Sequence, residues 1–260
     1  MAQRIRKRIL LAQNFLKDPR TVRRLVSMAA IGPADTVYEI GPGRGIITAD
    51  LARVAGKVVA VEKDPRLIHG LRERFRTLKN VRIIPGDFLN FNIPDREYKI
   101  FASIPYNLTA AIVGKVLYST PAASEAYLIM QKEPARKFAG LPSETLFSLL
   151  AKPVADFRII HHLRRTDFIP VPAVDSVVLH IRRHKKPLLD REDFHLYRDF
   201  VTTGFAGWKP NLRSAYKRVF TQKQWKRLSH DLAFPINATP TQLTFEQWME
   251  LYFRYRWLNR

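Results

Sequence analysis

The residues with the clearest chemical meaning are Ser103-Ile104-Pro105-Tyr106. They follow Tyr98-Lys99-Ile100-Phe101-Ala102, a run that reads as a buried strand. Proline directly after such a strand ends its pairing and fixes the backbone. The Ile104 carbonyl and the Ser103 side chain are then expected to face a crevice, with the aromatic face of Tyr106 beside them. Two acceptors next to an aromatic plane suit a planar base whose exocyclic amine must be held. The lone pair of such an amine is delocalised into its ring, so the nitrogen is a poor nucleophile. Acceptors drawing on its hydrogens favour a more tetrahedral nitrogen and aim its lone pair at an electrophile.

A second constellation lies upstream. Glu39-Ile40-Gly41-Pro42-Gly43-Arg44-Gly45 joins the short run Thr36-Val37-Tyr38 to a helix-patterned stretch from Ile46 to Ala52. Strand, glycine turn and helix open a nucleotide-binding α/β unit. Gly41, Gly43 and Gly45 remove Cβ atoms where a ligand would approach the backbone, and they permit the sharp turn. Ile46 stands where the dinucleotide pattern G-x-G-x-x-G has its third glycine, so a ligand without phosphates is expected. Glu62 closes the next strand about 20 residues on, where an acidic side chain takes ribose hydroxyls. Asp87 closes the strand after that and can accept from an adenine amine, or simply form a turn. Arg44, in the same turn, offers a cation to an anionic group of a ligand or of a larger partner, and the spacing does not choose between them.

These residues need a scaffold. Lys57–Glu62, Val81–Ile84, Tyr98–Ala102 and Glu125–Met130 read as further strands, and Phe157–Ile160 and Ser176–Ile181 as the last two. Asp18-Pro19 and Asp64-Pro65 read as helix starts. The alternation predicts an α/β fold: a Rossmann-like, mostly parallel seven-stranded sheet with helices on both faces. The last two strands are expected to pair antiparallel at one edge. The basic run Arg182–Pro187 marks a boundary, and beyond it only helical spacing remains. The expected domains are therefore 1–187, carrying the ligand site, and 188–260, small and helical. Trp208, Trp225, Trp248 and Trp257 are expected in or around helical cores. His161-His162 has no partner cluster for a metal.

Composition limits the partners. The chain has 260 residues, 46% of them apolar, enough for a substantial core. Forty-four basic residues oppose 23 acidic ones, a formal charge of +21. Such an excess repels itself in the folded state and points to a polyanionic partner, RNA or DNA first. There is no cysteine, so there are no disulfides and no thiol nucleophile, which suits a reducing cytosol. No apolar run is long enough for a signal-peptide core or a bilayer span.

The order of these motifs closely resembles the rRNA adenine N6-methyltransferases, over nearly the whole chain. The resemblance implies S-adenosylmethionine as methyl donor and no metal. Gln13-Asn14-Phe15-Leu16 is similar to the family's N-terminal cofactor motif, which adds Gln13, Asn14 and Leu16 to Glu39, Gly41, Gly43, Gly45, Glu62, Asp87 and Ser103 as cofactor-binding residues. Ser103, Ile104 and Tyr106 are implied as catalytic. Phe168 opens a stretch similar to the family's late motif, whose Phe helps to stack the target base. Tyr216–Trp225 and Thr244–Trp248 resemble the C-terminal domain of the Erm-type, erythromycin-resistance branch. That branch implies a 23S rRNA adenine as target, naked or in an assembly precursor. It also implies macrolide, lincosamide and streptogramin B resistance, and a cytoplasmic monomer with no membrane attachment. The alternatives are a small-subunit rRNA dimethyltransferase and a non-catalytic RNA-binding factor on the same fold. The family usually has Asn where this chain has Ser103; the shorter arm implies a bias towards one methyl per adenine.

Overall fold

The computed structural model describes residues 15–207 and 210–258. Gln13, Asn14 and Trp208, named above, lie outside the described residues. Nine strands are present among them: β1 (Phe15–Leu16), β2 (Thr36–Ile40), β3 (Lys57–Glu62), β4 (Val81–Pro85), β5 (Lys99–Ser103), β6 (Glu125–Gln131), β7 (Ala155–Leu163), β8 (Phe168–Ile169) and β9 (Ser176–Arg183). Seven form one sheet in the order β4-β3-β2-β5-β6-β9-β7. The neighbours from β4 through β6 run parallel, and β9 runs antiparallel to β6, from Glu125 opposite Arg182 to Gln131 opposite Ser176. The last two strands are hydrogen-bonded neighbours as expected, but β7 is outermost and β9 sits inside, against β6. β1 and β8 form a separate antiparallel pair, Phe15 opposite Ile169 and Leu16 opposite Phe168.

The helices start where the sequence chemistry places them. In α1 (Pro19–Ser27) the Asp18 carboxylate accepts from the amides of Arg20 and Thr21, both at 3.1 Å, with proline in the first turn. α3 (Pro65–Phe75) repeats the device with Asp64, which accepts from the Arg66 amide at 3.0 Å. Between them, α2 (Ile46–Val54) follows the glycine turn. α1 buries Val22, Leu25 and Val26 in a core with Leu51 of α2 and Val37, Val58 and Phe101 of the sheet. α4 (Thr109–Tyr118) follows β5, and α5 (Lys132–Ala139) follows β6. None of the described helices is long and apolar enough to cross a membrane.

The chain divides into two compact units. One holds the described residues up to Ala135 together with Phe157–Arg183, and the other holds Arg136–Asp156 together with the chain from His184 on. The sequence places the break at 187/188 and leaves 136–156 with the sheet. The difference has a packing reason: α6 (Leu146–Ala151) gives a fully buried Leu149 to the aromatic core of the helical unit. That core joins α7 (Arg191–Gly204), α8 (Leu212–Ala215), α9 (Gln222–Asp231) and α10 (Phe245–Leu258). Phe200 stacks on Tyr216 with ring centroids 4.5 Å apart. Trp225 and Trp248 are buried and donate to the carbonyls of Ile236 and Pro240, whereas Trp257 is exposed.

Candidate active site

The strand order reverses between β2 and β5: the chain runs outward through β3 and β4 on one side and through β6 on the other. Ligands of open α/β sheets bind at such a point, outside the carboxyl ends of the strands. Two adjoining cavities occupy that place and share Gly41 and Pro105. The larger, about 260 Å³, is lined by Ile40, Val61, Phe88, Leu89 and Ile112 among apolar residues, and by Glu62 and Asp87. The smaller, about 50 Å³, is lined by Phe15, Leu16, Ile46, Ser103, Ile104 and Tyr106 among others.

Glu62 is 3% exposed, and both of its oxygens are already engaged. One accepts from the Gly43 amide at 3.1 Å and the other from the Asp64 amide at 2.8 Å. Each carboxylate oxygen keeps a second lone pair, so a diol can still bind. Asp87 accepts from the Leu89 amide at 3.0 Å and from Lys63 Nζ at 2.7 Å. The Lys63 hydrogen bond, then the Leu89 amide, hold its carboxyl below the usual range.

All three glycines take a positive φ, as the sharp turn requires, and two of them also lie against the protein's own side chains. A Cβ on Gly43 would lie 2.5 Å from the Phe15 ring, and one on Gly45 would lie 2.7 Å from the Phe75 ring. Both make room for the protein's own side chains. Gly41 differs from them in its surroundings: its φ is +62°, and a Cβ there would enter open space in the crevice. Glu39 lines neither cavity. It is 1% exposed, accepts from Thr48 Oγ1 at 2.6 Å, and burial pushes its carboxyl up to about 8.

Ser103 ends β5, and Ile104 continues it with its amide donating to the Ile129 carbonyl at 3.0 Å. Among the described residues, neither the Ser103 hydroxyl nor the Ile104 carbonyl is used by another group. Tyr106 is fixed by a 2.7 Å hydrogen bond between its hydroxyl and that of Ser176, at the start of β9. Leu16 reaches the smaller cavity. Phe168 does not: it is 1% exposed, opposite Leu16, and packs in the core of the sheet unit. The ring of Phe168, expected to flank the base, thus packs in the core and lines neither cavity. His161 contacts Arg24, and no group of three or more His, Asp or Glu among the described residues could hold a metal.

Lys115 escaped the sequence reading. Its ammonium donates to the carbonyls of Phe88, Leu89 and Phe91 at 2.5–3.0 Å and lies 4.9 Å from the Phe88 ring centroid. It fixes the turn after Asp87 that walls the larger cavity. The available signal was a lone lysine in the apolar stretch Thr109–Tyr118.

A profile described as ribosomal RNA adenine dimethylase matches residues 4–256. The chain belongs to that family. Two relatives named rRNA adenine N-6-methyltransferase are similar to it. The one from Aeromicrobium erythreum is 35% identical over 90% of this chain, and the one from Saccharopolyspora erythraea is 31% identical over 97%. The chain spans 67% and 66% of their own lengths, about two thirds. The crystal structure of the 23S rRNA methyltransferase ErmE is similar over 94% of this chain and all of that one, with a TM-score of 0.87 and 30% identity. Members of the ribosomal RNA adenine dimethylase family use S-adenosylmethionine as methyl donor, and this chain is such a methyltransferase. Its site fits that donor. Two carboxylates in the cavity lining suit the hydroxyls and amine of a nucleoside, apolar walls suit an adenine, and the space beside Gly41 is one that a Cβ would fill.

Proposed function

We propose that the chain methylates N6 of one adenine in 23S rRNA, and that the modification gives resistance to macrolides, lincosamides and streptogramin B. The observation that supports this most is the likeness to ErmE, which covers that whole chain at 30% identity. The unit built on the sheet holds the cofactor and the base, and the helical unit contributes to RNA binding. The protein acts as a cytoplasmic monomer on naked or precursor rRNA.

S-adenosylmethionine, when bound, supplies a sulfonium-activated methyl group. Glu62 would accept from the ribose hydroxyls and Asp87 from the adenine amine of the donor. Gly41 lets the backbone approach, and Phe88 and Leu89, held by Lys115, exclude water. Glu39 supports the turn through Thr48 rather than by direct contact. Gln13, Asn14 and Leu16 would close the cofactor side. On the acceptor side, the base leaves its stack and lies against Tyr106. The Ile104 carbonyl and the Ser103 hydroxyl take hydrogen bonds from N6–H and turn the nitrogen lone pair towards the methyl. The rate gain comes from position and from preset acceptors. After transfer, the cationic nitrogen gives its extra proton to water.

The test is methyl transfer from labelled S-adenosylmethionine to protein-free rRNA, with the modified base mapped by mass spectrometry. Label in one 23S adenine is expected. Label confined to 16S rRNA would move the protein to the small-subunit reading, and RNA binding without label would make it a non-catalytic factor.

A further inference from the structure

The helical unit carries a cleft that the reaction above does not use. It measures about 490 Å³ and lies between α8 and the start of α9. That volume is in the range of nucleotide-sized sites. Its polar lining includes Asn211, Arg213, Ser214, Lys217, Gln222 and Asn237, and it contains no carboxylate. Arg213 is half-buried and Lys217 is exposed. Neither has an ion-pair or hydrogen-bond partner among the described residues. Elsewhere on this basic chain many cations are paired, as Arg227 is with Asp231 and Arg256 with Asp193.

The floor of the cleft narrows the choice of ligand. Tyr216, Phe220 and Trp225 line it but are 1%, 4% and 2% exposed, so no ring face is open for a base to stack on. The Tyr216 hydroxyl and the Trp225 Nε1 are committed to the carbonyls of Phe200 and Ile236. What remains is a set of donors around a guanidinium and an ammonium. A guanidinium fork matches the oxygens of a phosphate, and an ammonium adds a point charge.

We propose that this cleft binds the sugar–phosphate backbone of the RNA substrate, at one or two phosphates and without reading bases. The proposal rests on the reading that RNA is the substrate. It assigns Arg213 and Lys217 a task separate from cofactor binding and from the adenine.

Binding of the whole protein to protein-free 23S rRNA is measured across a salt series for three proteins. These are the native chain, the pair Arg213→Gln with Lys217→Gln, and the pair Lys223→Gln with Lys226→Gln on the exposed side of α9. The native slope of log affinity against log salt is expected to fall by about 2 in the first pair, with affinity about tenfold weaker. The second pair should lose clearly less. The charge-keeping pair Arg213→Lys with Lys217→Arg should retain the native slope, and loss of slope there too would mark a packing effect and overturn the proposal. An unchanged slope in the first pair, or equal losses in both glutamine pairs, would also overturn it. Methyl transfer by the native protein to the same RNA is read alongside: its failure would sink the proposed reaction and leave the cleft standing.

Discussion

The crevice at the strand ends and the cleft of the helical unit treat charge in opposite ways. In the crevice, Glu62 and Asp87 are pinned by backbone amides before any ligand arrives. In the cleft, Arg213 and Lys217 stand without partners among the described residues. Pinned carboxylates suit a small ligand that must adopt one pose. Unpinned cations suit a long polymer that can engage many phosphates in more than one register. A chain with a formal charge of +21 thus keeps carboxylates where a nucleoside needs acceptors and loose cations where a polyanion needs counterions.

Four changes break or sharpen this contrast. The largest effect belongs to Glu39, whose buried carboxyl keeps its proton up to about pH 8, against 4.5 in the unfolded chain. The folded state then holds more protons between those values, so this group's contribution is fully present below about 4.5 and is lost as pH rises through 8. Its size is roughly 3–5 kcal/mol. Glu39→Gln should flatten that part of the stability–pH curve in urea titrations, and an unaltered curve would count against a protonated Glu39. Next is Glu62→Ala, which removes both the diol acceptor and the partner of two amides. S-adenosylmethionine affinity should fall by about 1.5–3 kcal/mol in calorimetry; native affinity would mean that Glu62 is structural only.

Gly204→Ala probes the other unit. A Cβ there would lie 2.4 Å from the Trp248 ring, so overpacking should cost about 1–3 kcal/mol and leave S-adenosylmethionine affinity unchanged. The smallest effect is expected at Ser103. A hydroxyl is shorter than an amide arm and must rotate to present a lone pair, so it should help the second methyl transfer less than the first. Mass spectrometry should show mainly N6-methyladenine at limiting turnover, and more dimethyladenine with Ser103→Asn. The difference is about 1 kcal/mol, severalfold in rate. Rapid, complete dimethylation by the native protein would refute it.

The sequence was legible where local chemistry decides structure. Asp18-Pro19 and Asp64-Pro65 each cap a helix with their own carboxylates, so nothing distant can override them. Glu62, Asp87, Ser103, Ile104 and Tyr106 meet at the cavities because strand ends converge at the sheet reversal. Long-range choices were not legible. β1 and β8 are two residues each, too short for any periodicity, yet their pairing buries Phe168. Residues 136–156 join the helical unit through Leu146, Leu149 and Leu150, and apolar spacing alone does not say which core such residues enter. Lys115 reads as an ordinary surface lysine until the turn that it clasps folds beside it.

The Phe15 ring over Gly43 has a consequence for how the sequence can change. Position 43 is closed to larger residues by a neighbour 28 positions away in the chain, as well as by its left-handed backbone. A smaller side chain at 15 would relieve the crowding but not the backbone strain. Gly43→Ala should therefore be a loss-of-function allele that Phe15→Ala suppresses only in part, while Gly43→Asn, whose side chain tolerates the left-handed region, should be suppressed better. The two sites are expected to drift together, as a linked pair, across descendants of this gene.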